Sequence, residues 1–234
     1  GQIEPVEKLI CGSDYENSSA VLDLFNRTTF TLTKNRRSGE DAIAMEKVVK
    51  DNRDGNIYLS HFKYKGRFSD IKRHLAYYHI RVRAINDALQ NRYCKGSERL
   101  EVQDKKNDLQ SYFGLKKGLP LISNKNKTID KELIWSKNQD FILDSSEKDF
   151  ISVIHKESDI VYKIKRDAFE YEFSVAYCIT YHRSQGDTIR ERYMIHDWLE
   201  LEGKKYISSK SLEKLRYVVL TRTTARKDIF IYSK

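Results

Sequence analysis

Thr180, His182, Arg183, Ser184, Gln185 and Gly186 lie almost side by side, and Thr221, Arg222 and Thr223 form a second polar group further along. Hydroxyls, an imidazole, an amide and two guanidiniums beside a glycine suit the binding of a phosphate-like anion. Arginine grips such an oxyanion with paired N–H donors, and glycine lets the backbone approach closely. One arginine in each group suggests that the anion sits between or beside them.

Elements with the right pattern flank both groups. Val175 to Ile179 is an almost continuous apolar run, which predicts a strand buried on both faces of a parallel sheet. A polar loop at the carboxyl end of such a strand is where open α/β sheets place ligands. Leu212, Leu215 and Val219 recur at helical spacing, so a helix opened by Ser208 to Ser211 should deliver Thr221 to Thr223 at its far end. Tyr193 to Ile195 and Ile229 to Tyr232 read as further strands. Upstream, His74 to His79 reads as a strand, and Val82, Ile85 and Leu89 as the buried stripe of a helix.

The first sixty residues carry weaker signals. Val21 to Phe25 reads as a short helix and Thr28 to Leu32 as a strand. Ser38 and Asp41 make a helix start ahead of Ala42, Met45, Val48 and Val49, and Asp54-Gly55 marks a turn.

The 234-residue chain carries 43 basic and 34 acidic side chains, a net charge of +9, which favours a polyanionic partner. No apolar run approaches spanning length, so no membrane role is expected. Three isolated cysteines, Cys11, Cys94 and Cys178, show neither metal spacing nor a disulfide framework. They predict a reduced, intracellular protein, nuclear or cytoplasmic, with Cys178 in the core.

Lys72, Arg73, Arg81, Arg83, Arg92 and Lys95 stand against Asp87 with tyrosines interleaved, a mixture that suits a phosphate-tracking surface. From Gly118 to Arg166 short apolar runs alternate with turn residues, which predicts β-hairpins. The expected organisation is a main α/β domain from 1–117 and 167–234, with a small β insertion at 118–166. Trp135 belongs in the insertion's core.

ITYHRSQGDT and YVVLTRTTARKDI together resemble motifs V and VI of superfamily 1 helicases, and the HxSQG form is closest to superfamily 1B, the RecD and Pif-type class. QIEPVE at the start is similar to the tail of motif III, and TLTKNRR to the segment bearing the motif IV arginine. The strand and helix ending at Asn86 resemble a further unit of that class. Tyr78 and His79 replace its usual threonine and asparagine, so no nucleic-acid contact is carried onto them. Gly118-Leu119-Pro120 with Asn126 resembles the start of the Src-homology-like barrel inserted before motif V.

The resemblance implies a RecA-like, mainly parallel sheet flanked by helices with a small β-barrel-like insertion. It also implies ATP-dependent, 5′-to-3′ DNA helicase activity. In it, Arg222 would be the arginine finger and Arg37 its partner on the phosphate. Gln2, Gln185 and Gly186 would sense ATP, while Thr180, His182 and Ser184 would touch the backbone of single-stranded DNA. Arg37, Gly186 and Arg222 should therefore converge along one rim of the sheet.

The chain has no G-x-x-x-x-G-K-[ST] loop and no strand ending in an acidic pair. It is thus expected to be the second motor domain, inactive alone, with ATP and Mg²⁺ held by an upstream motor domain of the same polypeptide. Two other readings are a superfamily 1 RNA helicase domain and a non-catalytic nucleic-acid-binding module with the motor fold.

Overall fold

A computed structural model describes residues 62, 64, 66–103, 109–223 and 225–232. The elements expected before residue 60, and the site candidates Gln2 and Arg37, lie outside the described residues. In chain order the strands are β1 (Arg73–Ala76), β2 (Arg99–Glu101), β3 (Tyr112–Gly114), β4 (Pro120–Ser123), β5 (Lys127–Ile129), β6 (Glu132–Trp135), β7 (Asp140–Ser146), β8 (Phe150–His155), β9 (Val161–Lys165), β10 (Phe173–Val175), β11 (Cys178–Thr180), β12 (Tyr193–Ile195) and β13 (Ile229–Ile231). The α-helices are α1 (His79–Tyr93), α2 (Phe169–Glu172) and α3 (Ser209–Leu220).

Four strands form a wholly parallel sheet in the order β11-β1-β12-β13. The three of these from β1 to β12 are buried along their whole length, as expected where helices cover a parallel sheet. Helix α1 turns Val82, Ile85 and Leu89 inward. Helix α3 begins where Ser208 accepts a hydrogen bond from the Ser211 N–H at 3.1 Å. Such a cap contributes about 1 kcal/mol, and the helix then buries Leu215, Val218 and Val219. Among the described residues no helix is long and apolar enough to cross a membrane.

The second sheet is antiparallel, in the order β10-β4-β7-β8-β9. Its interior is aromatic. Trp135 is buried and its ring centroid lies 5.5 Å from Phe141, 5.1 Å from Tyr162 and 5.8 Å from Phe173, which is edge-to-face packing distance.

Two expected strands are divided differently. The run Val175 to Ile179 serves both sheets. Val175 pairs with Leu121 in the antiparallel sheet, and the Ala176 N–H donates to the Pro120 carbonyl at 2.9 Å. One residue later the Tyr177 carbonyl accepts from the His74 N–H at 2.7 Å, and β11 begins. The other, His74 to His79, ends as a strand at Ala76. Beyond it the Tyr77 and Tyr78 N–H groups donate to Asp197 Oδ2 at 2.9 and 3.2 Å, which turns the backbone out of the sheet and into α1.

Asn86 secures the crossing. It has no exposed surface; its Nδ2 donates to the carbonyls of Leu109, Val175 and Cys178 at 3.1 to 3.2 Å. Its Oδ1 accepts from the Cys178 N–H at 2.8 Å. Where the chain leaves one ladder and has not joined the next, the backbone needs partners from outside the sheets, and one amide supplies them.

Candidate nucleotide and nucleic-acid site

The polar loop that follows β11 is a tight series of turns. The Ser184 N–H donates to the Thr180 carbonyl at 3.1 Å and the Arg183 N–H to Thr180 Oγ1 at 3.1 Å. Ser184 is wholly buried, and its hydroxyl donates to the Tyr181 carbonyl at 2.8 Å. Thr180 and Ser184 therefore shape the loop from within. His182 and Gly186 are exposed and Gln185 is half-buried, so these three form the face that the loop presents.

Gly186 has φ +100°, a conformation that side-chain-bearing residues rarely adopt, and open space lies where its Cβ would be. The constraint is thus on the backbone.

Arg222 follows the end of α3 and is 7% exposed. Its Nη1 donates to the carbonyls of Ser184 and Asp187, both at 3.2 Å, on either side of Gly186. Its Nε donates to the Val218 carbonyl at 2.7 Å, in the last turn of the helix, where a cation is favoured by the helix dipole. In return the Ile189 N–H donates to the Arg222 carbonyl at 2.6 Å. Arg222, Gly186, Gln185, Ser184 and Thr180 are thus gathered at one junction, on the carboxyl side of β11.

His182 sits at the outer side of that junction, its ring 5.9 Å from Tyr77. Partial desolvation, and then the neighbouring His79, push its imidazole below the usual value. Tyr77 packs edge-on to Tyr78 at 5.2 Å, and the Tyr78 and Tyr206 hydroxyls are 2.8 Å apart. This aromatic group beside the loop has no marker in the sequence beyond the adjacent tyrosines.

Arg183 points the other way. Its Nε donates to Asn138 Oδ1 at 2.9 Å, and its Nη2 to the Ser123 carbonyl at 2.8 Å and Asn124 Oδ1 at 3.0 Å. Burial, reinforced by the charge of Arg73, lowers its guanidinium to about 10. The loop is therefore tied to the antiparallel sheet as well as to α3.

Beneath the loops lies a histidine pair. His74 Nε2 is 2.7 Å from the Ile71 carbonyl and must carry a proton. His74 Nδ1 is then an acceptor, so at 2.9 Å the His196 Nε2–H must donate to it. Burial lowers His74 to about 4 and, with the His74 charge, lowers His196 further. Both rings are neutral near pH 7.

The arginines around α1 are committed within the fold, unlike those of the expected phosphate-tracking surface. Arg73 is buried, bonded to the Ala176 carbonyl at 2.8 Å and paired with Asp140 at 3.3 Å. Arg81 pairs with Asp197 at 3.0 Å and Glu200 at 2.7 Å, and Arg92 with Asp70 at 3.1 Å. Arg83 lies 4.0 Å from Asp87 and bonds Ser111. Those carboxylates are distant in sequence for the most part, so the pattern around α1 alone could not reveal them.

No family model matches the chain, and no curated protein matches it by sequence. Solved structures do. A structure of two coordinating Pif1 helicases unwinding forked double-stranded DNA is 18% identical over 99% of this chain and 58% of that one, with a TM-score of 0.63. Pif1 helicase from Candida albicans is 14% identical over 100% of this chain and 62% of that one, with a TM-score of 0.60. Pif1 helicase from Bacteroides, in complex with ADP-AlF3 and single-stranded DNA, is 16% identical over 99% and 60%, with a TM-score of 0.59. The chain shares their fold and spans about three-fifths of their length.

Proposed function

We propose, from the fold shared with Pif1 helicases, that this chain is the second motor domain of an ATP-dependent DNA helicase of superfamily 1B that moves 5′ to 3′ on single-stranded DNA. The observation that carries the reading is the grip of Arg222 on the carbonyls flanking Gly186. It unites the two polar groups that the sequence singles out.

The donor set fits a phosphate. Gly186 is exposed backbone with open space beside it, and a guanidinium stands behind it. A companion motor domain, upstream in the same polypeptide, would hold most of the ATP and the Mg²⁺. Gln2, Arg37, Gln185, Gly186 and Arg222 would meet the terminal phosphate from this side. Bound ATP supplies the phosphoanhydride whose cleavage drives movement.

The residues of the chain then do two things. Arg222 would exchange two neutral carbonyl partners, each at 3.2 Å, for charged phosphate oxygen, and a charge-assisted bond is roughly twice as strong. In that position it would stabilise charge as it develops during transfer to water. Releasing the Ser184 and Asp187 carbonyls would also alter the loop bearing His182, which would touch the DNA backbone with Thr180 and Ser184 setting its shape. A contact made with one nucleotide state and not another is what couples hydrolysis to grip.

The test is Arg222→Lys in the polypeptide that includes the companion domain. Lysine keeps the charge but loses the fork, so ATP hydrolysis should fall about a thousandfold while nucleotide binding holds; the melting temperature should drop by a few degrees, because lysine cannot hold the Val218, Ser184 and Asp187 carbonyls together. Unchanged turnover would remove the assignment. The depth of Arg222 favours one other reading, a non-catalytic module in which that arginine only builds the loop. It requires tight single-strand binding and no hydrolysis even with the companion domain present.

A further inference from the structure

The rings beside the loop of His182 form a continuous row. His182, Tyr77 and Tyr78 follow one another at 5.9 and 5.2 Å between ring centres, and the Tyr78 hydroxyl meets that of Tyr206 at 2.8 Å. The row begins on the loop after β11, passes the carboxyl end of β1 and ends on the segment between β12 and α3. Its members differ in how much of each ring is open. Tyr77 is half-buried, with the rings of Tyr78, Tyr181 and His182 around it, and Tyr78 is half-buried too. Tyr206 is 59% exposed, and among the described residues no ring packs against it and no cation lies over it.

An exposed tyrosine on a loop ordinarily samples several rotamers. Here its hydroxyl is tied to Tyr78, whose own ring is packed edge-on to Tyr77. The Tyr206 ring is therefore held at its far end while most of it stays in water. A ring ordered in advance loses little further freedom when a flat ligand settles on it.

The unpaired charge beside it is of one sign. Lys204 and Lys205, the two residues before Tyr206, are exposed and enter no ion pair among the described residues. The carboxylates along this segment are engaged: Asp197 and Glu200 by Arg81, and Glu202 by Arg216. Ammonium groups next to an open aromatic face are the combination that a single strand uses, the first for its phosphates and the second for a base. The row of rings also leads back to His182, so a strand lying on Tyr206 is continuous with one at that loop.

We propose that Tyr206 is a stacking platform for one base of single-stranded nucleic acid, held in position by Tyr78, with Lys204 and Lys205 on the adjoining phosphates. This rests on the nucleic-acid reading above and adds to it a contact with a base, where the loop of His182 would touch only the backbone.

The test uses fluorescence anisotropy at several salt concentrations, with two labelled probes of equal length: oligothymidylate, and a sugar-phosphate oligomer that lacks bases. Tyr206→Ala should weaken binding of oligothymidylate about tenfold. It should leave the slope of log affinity against log salt unchanged, since stacking releases no counterions. On the abasic oligomer the same variant should lose nothing. K204Q/K205Q should do the reverse, making the slope shallower by roughly 1.4 on both probes. Tyr206→Trp keeps an aromatic face and should bind oligothymidylate as the unaltered chain does, while Tyr78→Phe, which frees the Tyr206 hydroxyl, should cost about twofold to threefold. Unchanged affinity of Tyr206→Ala for oligothymidylate, or an equal loss on the abasic oligomer, would overturn the proposal alone. Failure of the unaltered chain to bind either probe would overturn it together with the nucleic-acid reading.

Discussion

The two sheets solve the same packing problem with different materials. The antiparallel sheet closes over aromatic rings, with Phe141 touching Trp135, Tyr162 and Phe173 at 5.1 to 6.3 Å. The parallel sheet carries polar groups at its centre: His74 against His196 between the strands, Asn86 beneath the crossing, and Asp197 under the turn after β1. Aromatic packing is tolerant and gives shape. Buried hydrogen bonds are exacting, since any unmatched partner is costly, and they fix loops to within a fraction of an ångström. The loop after β11, with Arg222 bonded across it, stands on the second kind of core.

Truncating each core should separate the two. Phe141→Ala removes a ring with no exposed surface and should cost about 3 to 5 kcal/mol, the largest effect, read as a loss of unfolding free energy in denaturant. If the sheets are energetically distinct, hydrogen exchange will rise first in β7 and β8, with β1 and β12 still protected. Simultaneous exchange in both would erase the distinction. Asn86→Leu attacks the connection. It orphans the Val175 and Cys178 carbonyls and the Cys178 N–H, which should cost about 3 kcal/mol and accelerate exchange in both sheets together.

Acid should act on the parallel sheet alone. Both histidines are held below their ordinary value, so the folded chain refuses protons that the unfolded chain accepts. Their contribution is complete above about pH 6.5 and is lost as pH falls below it. Between pH 7 and 5 His74 should account for about 2 kcal/mol of that loss, with His196 adding to it. Burial pushes the Asp197 carboxyl up, which works in the opposite sense as its own range is reached. His74→Gln should flatten the pH dependence of the melting temperature over this window; an unchanged profile would mean that the pair is not the acid-sensitive element. Smallest in stability is Gly186→Ala, at about 1 to 2 kcal/mol for a side chain forced to positive φ.

Much of the parallel unit is legible along the chain. Val82, Ile85 and Leu89 do face the sheet, Ser208 does open the last helix, and the loop after β11 does meet the arginine after α3. The aromatic sheet is legible too, because alternating runs and turns need no distant partner to be read. The crossing between sheets is not. Val175 to Ile179 is apolar throughout, and nothing in those residues says where one ladder ends, because the answer lies in Asn86, 89 residues from Val175. The basic pattern around α1 misleads for the same reason, since Arg73 finds its carboxylate 67 residues away. Charge along a sequence reports supply, and only the fold reports how much is already spoken for.

Only Ala176 and Tyr177 separate a strand of one sheet from a strand of the other. A segment so short, with Ala176 and Tyr177 both hydrogen-bonded into the neighbouring ladders, gives the two sheets little slack at this point. Torque applied to the antiparallel sheet would reach the loop of Gly186 within the length of β11, and Arg183, clasping Asn138 and Ser123, would brace that loop against the same rotation. The two sheets are thus joined at the loop that Arg222 grips.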